Sequence, residues 1–482
     1  MRATHMRSLL AGTLALAGAP ALAQAGPPQE SRVASDFRHE GDQLQNCKKF
    51  DFGSIGACAQ TLLTGKPVHI AVGSLAPQNG FAAGLAFVEH KDFTNEWQLN
   101  GNIDAVASGN GSWRTGVYLQ AFRQPGALPT AVLPKPVTPG SSAPVKKVQH
   151  NSIFYPSAPL FRFYAEATSL KQIYFFGLGP NSALSGQSVF GLKETITGIS
   201  ATAPFAGRAK IALLGELNGR FPALLEDRGQ RLPSVQQQYD ESSAPGIQRQ
   251  PTYFQPTEGL RIEPSLAHDF LRLNYLLSFQ QFIAASDSHY SFRRWTVNLD
   301  HQFPLYRTTR VFANAHNGPD SCLPDPAATK CPPVSLSHNL EGSVGVRLLI
   351  SESIAGAGSV VPFYFQPTLG GSDLNGQSLL PSYTDYRFRA PNLLLLRESF
   401  EHSLWRLPVG FLFSVDEGKV AMRRDDIGFD HLKHSFTTGL TVRAGGLPVV
   451  YLLFAWGGGE GHHTIANVSP VLLGGSSRPS LF

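Results

Sequence analysis

The 482-residue sequence has little methionine (three), little cysteine (four) and little charge (16% of residues). Beyond its first 25 residues it has no run of 18 apolar residues. That excludes a helical membrane protein, because a helix needs about 20 apolar residues to cross the hydrocarbon. It has no block of lysine and arginine. The formal charge of +5 becomes +3 without Arg2 and Arg7, so nucleic acid is a poor partner. No HExxH or CxxC spacing occurs, and no cofactor or metal is expected. His431 and His434, three apart, read as loop or lumen histidines. No GxSxG occurs, so a hydrolase elbow is unsupported. "GGGEG" (Gly457 to Gly461) is a turn, without the lysine or following helix of a phosphate loop.

What is present begins with a leader. Arg2 and Arg7 precede the apolar run "LLAGTLALAGAPALA", and the small-residue sites Ala21-Leu22-Ala23 and Ala23-Gln24-Ala25 follow. This is a secretory signal over residues 1–25, cleaved before Gly26. Residues 26–65 form a short periplasmic lead, and 66–482 carry one continuous β pattern. In an exported chain the close pairs Cys47 with Cys58 and Cys322 with Cys331 read as local disulfides.

The dominant signal is alternation. In "WQLNGNIDAVA", Trp97, Leu99, Gly101, Ile103, Ala105 and Ala107 fall on one side, and Gln98, Asn100, Asn102 and Asp104 on the other. Period two means a strand whose faces see different surroundings. The pattern recurs, with Arg162 and Glu166, Lys210 and Glu216, Arg272, Asp300, and Glu341 and Arg347 on successive polar faces. Further strands fall at Val409 to Val420, Ser435 to Arg443 and Val449 to Trp456, and the last at His463 to Leu472, which contains Pro470. The strands run about ten residues, above the usual five or six of globular sheets. A soluble sandwich of this length is normally cut into domains of about 100–150 residues, and no cut is found.

An all-β transmembrane antiparallel barrel of about 16 strands explains both features: strands of about 9–11 residues, apolar outside and polar inside, closed because lipid cannot satisfy an open edge. "GSLAPQNGF" and "SGNGS" carry Asn-Gly signals for tight hairpins. The Pro-rich stretch Arg123 to Pro159 and the polar stretch Leu224 to Pro256 read as long extracellular loops. With Arg397, Ser399 and Glu401 inside, Glu398 faces lipid, unless a bulge or an interfacial position relieves it.

The C-terminal third carries a resemblance. Gly370, Gly371, Leu374 and Gly376, then Tyr386, Arg387, Phe388, Arg389, Asn392 and Leu394 to Leu396, then Asp416 and Gly418 match in order three motifs of the bacterial surface antigen superfamily. That family includes the barrels of BamA, TamA and the two-partner secretion transporters. "IAVGSLAPQNGFAAGLAF" and "FFGLGPNS" resemble its first hairpin and its Gly-Leu-Gly-Pro segment. The resemblance implies a 16-stranded outer-membrane barrel whose characteristic loop enters the lumen, where a loop arginine pairs with an acid on a barrel strand. Here Asn375 and Gln377 stand at the loop's arginine and aromatic positions, and Asp416 is left Arg387 or Arg389 as partner. The family's protein-inserting members carry periplasmic POTRA domains, whose pattern is missing from the 40 residues between Gly26 and Lys66. The terminal Phe482 resembles the family's sorting signal, read by the barrel assembly machinery.

The expected role is membrane-structural or transport, through a polar lumen occluded by the loop. The expected partners are outer-membrane lipid and lipopolysaccharide. One alternative is a diffusion porin, its lumen carrying Arg162, Lys210, Arg272, Arg347 and Arg443 against Asp104, Glu166, Glu216, Asp300 and Glu341. The other is a lipid-modifying barrel enzyme using a His/Ser pair from His289-Tyr290-Ser291 or His402-Ser403.

Overall fold

The computed structural model describes residues 67–92, 97–123, 159–206, 210–226, 231–267, 270–313, 335–404, 409–444 and 447–468, with isolated positions 38, 41 and 62 before them. The leader, the four cysteines, Phe482 and the side chains of Glu341 and Arg443 lie outside this description.

The chain is all β. Nineteen strands run in order: β1 (Val68–Ser74), β2 (Phe81–Asp92), β3 (Trp97–Ser108), β4 (Trp113–Arg123), β5 (Leu160–Phe175), β6 (Ser188–Ala206), β7 (Ile211–Leu225), β8 (Tyr253–Ile262), β9 (Ser265–Leu266), β10 (Leu271–Ala284), β11 (Phe292–Ala313), β12 (Ser335–Ala355), β13 (Thr368–Leu369), β14 (Phe388–Arg389), β15 (Asn392–Leu404), β16 (Val409–Ala421), β17 (Lys433–Ala444), β18 (Leu447–Trp456) and β19 (His462–Val468). Strands β9, β13 and β14 have two residues each. The other sixteen pair antiparallel with their sequence neighbours and build one barrel wall.

Alternation fixes the two faces as expected. Ile103, Val117, Phe161, Ile199, Leu213, Leu217, Trp295, Leu440 and Leu452 are exposed, while Asp104, Glu216, Gln280, Thr296, Ser351, Asp416 and Thr437 are buried within. A barrel with an apolar outside and a polar inside suits hydrocarbon around it and water within. Glu398 is indeed on the outer face, exposed in the middle of β15.

β1 and β19 lie side by side at the closure, but among the described residues no backbone ladder joins them. Val468 N–H reaches Ser74 Oγ at 3.5 Å. Both strands are seven residues long and ladder only to β2 and β18 respectively.

Strand parity corrects the loop assignment. β4 ends at Arg123 and β5 begins at Leu160 on the rim that also carries Val68 and Val468. β7 ends at Leu225 and β8 begins at Tyr253 on the opposite rim. The two long connections therefore leave opposite rims, and only one of them can be extracellular. The Leu225-to-Tyr253 connection is also less polar in its packing than its composition suggests: Val235, Ala244 and Ile247 are buried in a cluster with Phe175, Phe190 and Phe363.

That second rim is capped. Apolar side chains from the connections after β5, β7, β10 and β12 pack together across it, in clusters centred on Phe175 and Phe363, on Leu369 and Leu380, and on Tyr253 and Phe282. This capping positions the loop described next.

Candidate functional site: a loop that closes the lumen

The connection between β12 and β15, residues 356–391, folds inward. Its base is a narrow hairpin. Gly370 N–H donates to Leu379 O (2.9 Å), Gly371 N–H to Leu380 O (3.1 Å) and Leu379 N–H to Gly371 O (2.9 Å). Gly370 and Gly371 have φ of +105° and +60°, the first beyond easy reach of any residue with a side chain. At the tip, Asp373 Oδ1 accepts the Asn375 and Gln377 N–H groups at 2.9 and 2.7 Å. Gly376, at φ +76°, closes the turn with its N–H on Asp373 O.

The wall grips this hairpin by its backbone. Arg397 on β15 lies directly across from Asp416 on β16. Arg397 Nη2 also donates to Ser378 O at 2.5 Å, and Asp416 Oδ2 also accepts Leu380 N–H at 3.1 Å. The ion pair thus holds a carbonyl and an amide of one loop strand. Further around the wall, Arg347 Nη2 donates to Gln377 Oε1 (3.1 Å) and Ser382 N–H donates to Ser435 Oγ (2.9 Å).

The returning limb is tied to the rim. Arg387 Nε donates to Glu460 Oε1 at 2.5 Å, and its Nη1 and Nη2 donate to Ser182 Oγ and O at 2.8 and 2.7 Å. The Thr384 N–H and hydroxyl donate to Glu460 Oε2. Gln78, in the turn after β1, donates to Asp385 Oδ2 at 2.7 Å. Arg389 is buried among Phe175, Phe190 and Phe363, and its Nη1 donates to Phe363 O (2.7 Å). Residues 384–387 therefore touch the turns on both sides of the unladdered closure.

Several expectations change here. Asp416 pairs with Arg397, not with Arg387 or Arg389. Those two belong to the loop's return, with Tyr386 at φ +60°, and the barrel strand starts only at Asn392. Asn375 is an exposed tip residue and takes no arginine's place in an ion pair. Leu374 packs against the Phe363 cluster. Lys210 is not on a lumen face: it sits in the turn before β7 with φ +47°. Arg397 and Glu460 were missed as partners.

The other expected charges whose side chains are described face inward. Asp104 Oδ2 accepts Arg114 Nη2 (2.5 Å), Glu166 Oε2 accepts the Tyr118 hydroxyl (2.6 Å), and Glu216 accepts the Tyr164 hydroxyl and Asn218 Nδ2. Asp300 stands across from Arg347. Arg162 and Arg272 are half-buried on the same faces as Tyr164 and Ser278. Among the described residues no hydrogen bond joins the two members of either His/Ser pair. His289 Nδ1 contacts Gly358 O while Ser291 Oγ accepts Ala284 N–H, and His402 and Ser403 point to opposite faces of β15.

No protein-family model matches the chain, and no curated protein matches it in sequence. Similar solved structures include BamA from Haemophilus ducreyi lacking POTRA domains 1–3, at 11% identity and TM-score 0.44, covering 83% of this chain and 68% of that one. CdiB from Escherichia coli matches at 14% identity and TM-score 0.43, over 83% of this chain and 59% of that one. CdiB from Acinetobacter baumannii matches at 10% and 0.42, over 83% and 56%. The chain spans less than two thirds of the length of either CdiB. The likeness is one of barrel shape and brings no residue roles with it.

Proposed function

We propose that this chain is an outer-membrane barrel with a membrane-structural or transport role, exercised through a polar lumen that the 356–391 loop occludes, and that it does no covalent chemistry. After removal of its leader it sits among outer-membrane lipid and lipopolysaccharide, having been placed there by the barrel assembly machinery. The observation that carries this reading is the Arg397–Asp416 pair, whose two members each bind the backbone of one loop strand and together hold the hairpin across the lumen. A diffusion porin needs an open water path; here the capped rim and the gripped loop oppose one. The unladdered β1/β19 closure supports a route for material moving between lumen and lipid, since unpaired backbone groups in hydrocarbon cost several kcal/mol each and favour a pairing partner.

Conductance across a planar bilayer tests the proposal. The protein is expected to give small, flickering currents, and a variant with residues 372–378 replaced by a short glycine-serine link is expected to give large steady ones. Large steady conductance from the unaltered protein makes it a porin and overturns the proposal.

A further inference from the structure

Beneath the loop lies a cavity of about 350 Å³, within the size range of small-molecule sites. Its lining is of two kinds. β11 contributes Arg294 and Thr296, β12 contributes Ser351, and the loop contributes Tyr364. From β5, β6 and the loop come Leu170, Leu192, Ile196, Leu374 and Leu379. Hydrogen-bond donors thus share one space with branched hydrocarbon.

The lining carries three arginines, Arg114, Arg220 and Arg294, and three carboxylates, Glu166, Glu194 and Asp373, but they are not joined one to one. Arg220 is held by Glu194 through two bonds of 2.8 and 3.1 Å, and Arg114 by Asp104. Arg294 has no carboxylate among the described residues. It is 7% exposed, donates Nε to Ser353 Oγ (3.0 Å) and Nη2 to Phe365 O (2.5 Å), and lies 5.4 and 5.5 Å from the Phe282 and Phe292 rings. Those neutral partners fix its direction and leave its charge uncompensated. Beside it on the same face of β11, the hydroxyl of Thr296 is buried with no partner among the described residues, whereas the Tyr364 hydroxyl faces that of Tyr253. A buried cation and an idle hydroxyl cost stability unless something answers them. Water can answer the hydroxyl; an anion answers both. Glu166, Asp373 and the unpartnered Gln366 Oε1 also line the cavity as acceptors, so a head of one negative charge fits better than a dianion.

We propose that this cavity binds a small amphiphilic carboxylate, with its head on Arg294 and Thr296 and its aliphatic body against the leucines of β5, β6 and the loop. A guanidinium presents a fixed fork of donors that suits a carboxylate. The proposal does not depend on whether the barrel transports anything.

The test is equilibrium dialysis of radiolabelled hexanoate against the full chain in nonionic detergent, with detergent alone as background. The expected result is saturable binding at one site per chain, not displaced by an equal concentration of acetate or hexanol. Arg294→Met is expected to weaken binding at least tenfold and Arg294→Lys to retain part of it. Thr296→Val is expected to weaken it less than Arg294→Met. Folding of every variant is checked by its strand circular dichroism. If Arg294→Met does not fold, Arg294→Lys and Thr296→Val carry the comparison. No saturable binding above background, equal affinity in all variants, or displacement by hexanol as strong as by hexanoate overturns the proposal. Displacement by acetate alone refutes the aliphatic half of the site.

Discussion

Asp416 on β16 receives two nitrogens of Arg397 from the neighbouring strand, Nε on Oδ1 and Nη2 on Oδ2, both at 2.6 Å. The carboxylate is 0% exposed and the guanidinium 21%. Breaking a buried pair strands the partner that stays behind, at a cost of about 3–5 kcal/mol in a dry interior. The more deeply buried partner is the worse one to strand. Arg397→Met is therefore expected to destabilise the protein more than Asp416→Asn, and the double variant less than the sum of the two. Denaturant unfolding of the four proteins checks this; strictly additive losses mean that the two groups do not act together.

The hairpin base tolerates no side chain. A Cβ on Gly371 would lie 2.1 Å from Asp385 Oδ1 and 2.6 Å from its Cα, and one on Gly370 2.4 Å from Arg387 Cβ. Gly371→Ala is expected to push the returning limb off its seat, and Gly376→Ala, which meets nothing within 4 Å, to cost only its positive φ, about 1 kcal/mol. Protease cleavage inside 356–391 should rise sharply in the first variant and slightly in the second. Equal cleavage in both places the hairpin elsewhere.

The loop also carries a pH dependence. Enclosure in the lumen pushes the Asp373 carboxyl from 3.8 up to about 6, against the weaker opposing pull of the Gln377 and Asn375 N–H groups. A raised carboxyl value means that the closed loop favours the neutral form. Its contribution is complete below about pH 4 and is lost as pH rises through about 6. Hydrogen exchange of the loop amides, corrected for intrinsic rate, is expected to be slower at pH 5 than at pH 8. Asp373→Asn should flatten the difference; a difference that survives it has another origin.

The closure predicts where the wall is weakest. Among the described residues β1 and β19 each ladder on one side only, whereas β5 ladders to β4 and β6. Asp385 holds Gln78 beside β1, and Arg387 holds Glu460 beside β19, so the loop bridges the gap at the capped rim. Amide exchange should be fastest along β1 and β19, and Glu460→Gln should quicken it there while leaving β5 unchanged. Uniform exchange around the wall would mean that the closure is as firm as any other strand pair.

The barrel was legible because its cause is local. Alternation over Trp97 to Ala107 states which atoms meet lipid and which meet water, with no knowledge of any other strand. Partners were harder, because they depend on register. The Arg397–Asp416 pairing was still within reach: β15 ends at Leu404 and β16 starts at Val409, position 397 lies seven before the one and 416 seven after the other, so the two antiparallel strands bring them face to face. Two arginines within the matched motif, Arg387 and Arg389, drew attention away from that count. Glu460 was not legible at all. It sits in a glycine-rich turn 73 residues from Arg387, and only the folded loop joins them. Lys210 failed for a simpler reason: its alternation was continued one residue beyond the strand, into a turn.

Glu398 offers the sharpest test of what surrounds the wall. It is exposed on the outer face of β15, between Val346 of β12 and Val415 of β16, with Phe413 also exposed nearby on β16. In water a lone carboxylate there is unremarkable, and removing it changes stability by less than about 0.5 kcal/mol. In hydrocarbon it is a burden, smaller than the about 2–4 kcal/mol of a basic residue at mid-depth but of the same sign. Glu398→Leu is therefore expected to raise the unfolding midpoint in phospholipid vesicles, and Glu398→Gln to raise it less. Vesicles of longer acyl chains, which place the carboxylate deeper, should enlarge the gain. A loss of stability on Glu398→Leu in every bilayer would show that this stretch of β15 meets something other than lipid, either water or a second polypeptide that the carboxylate binds.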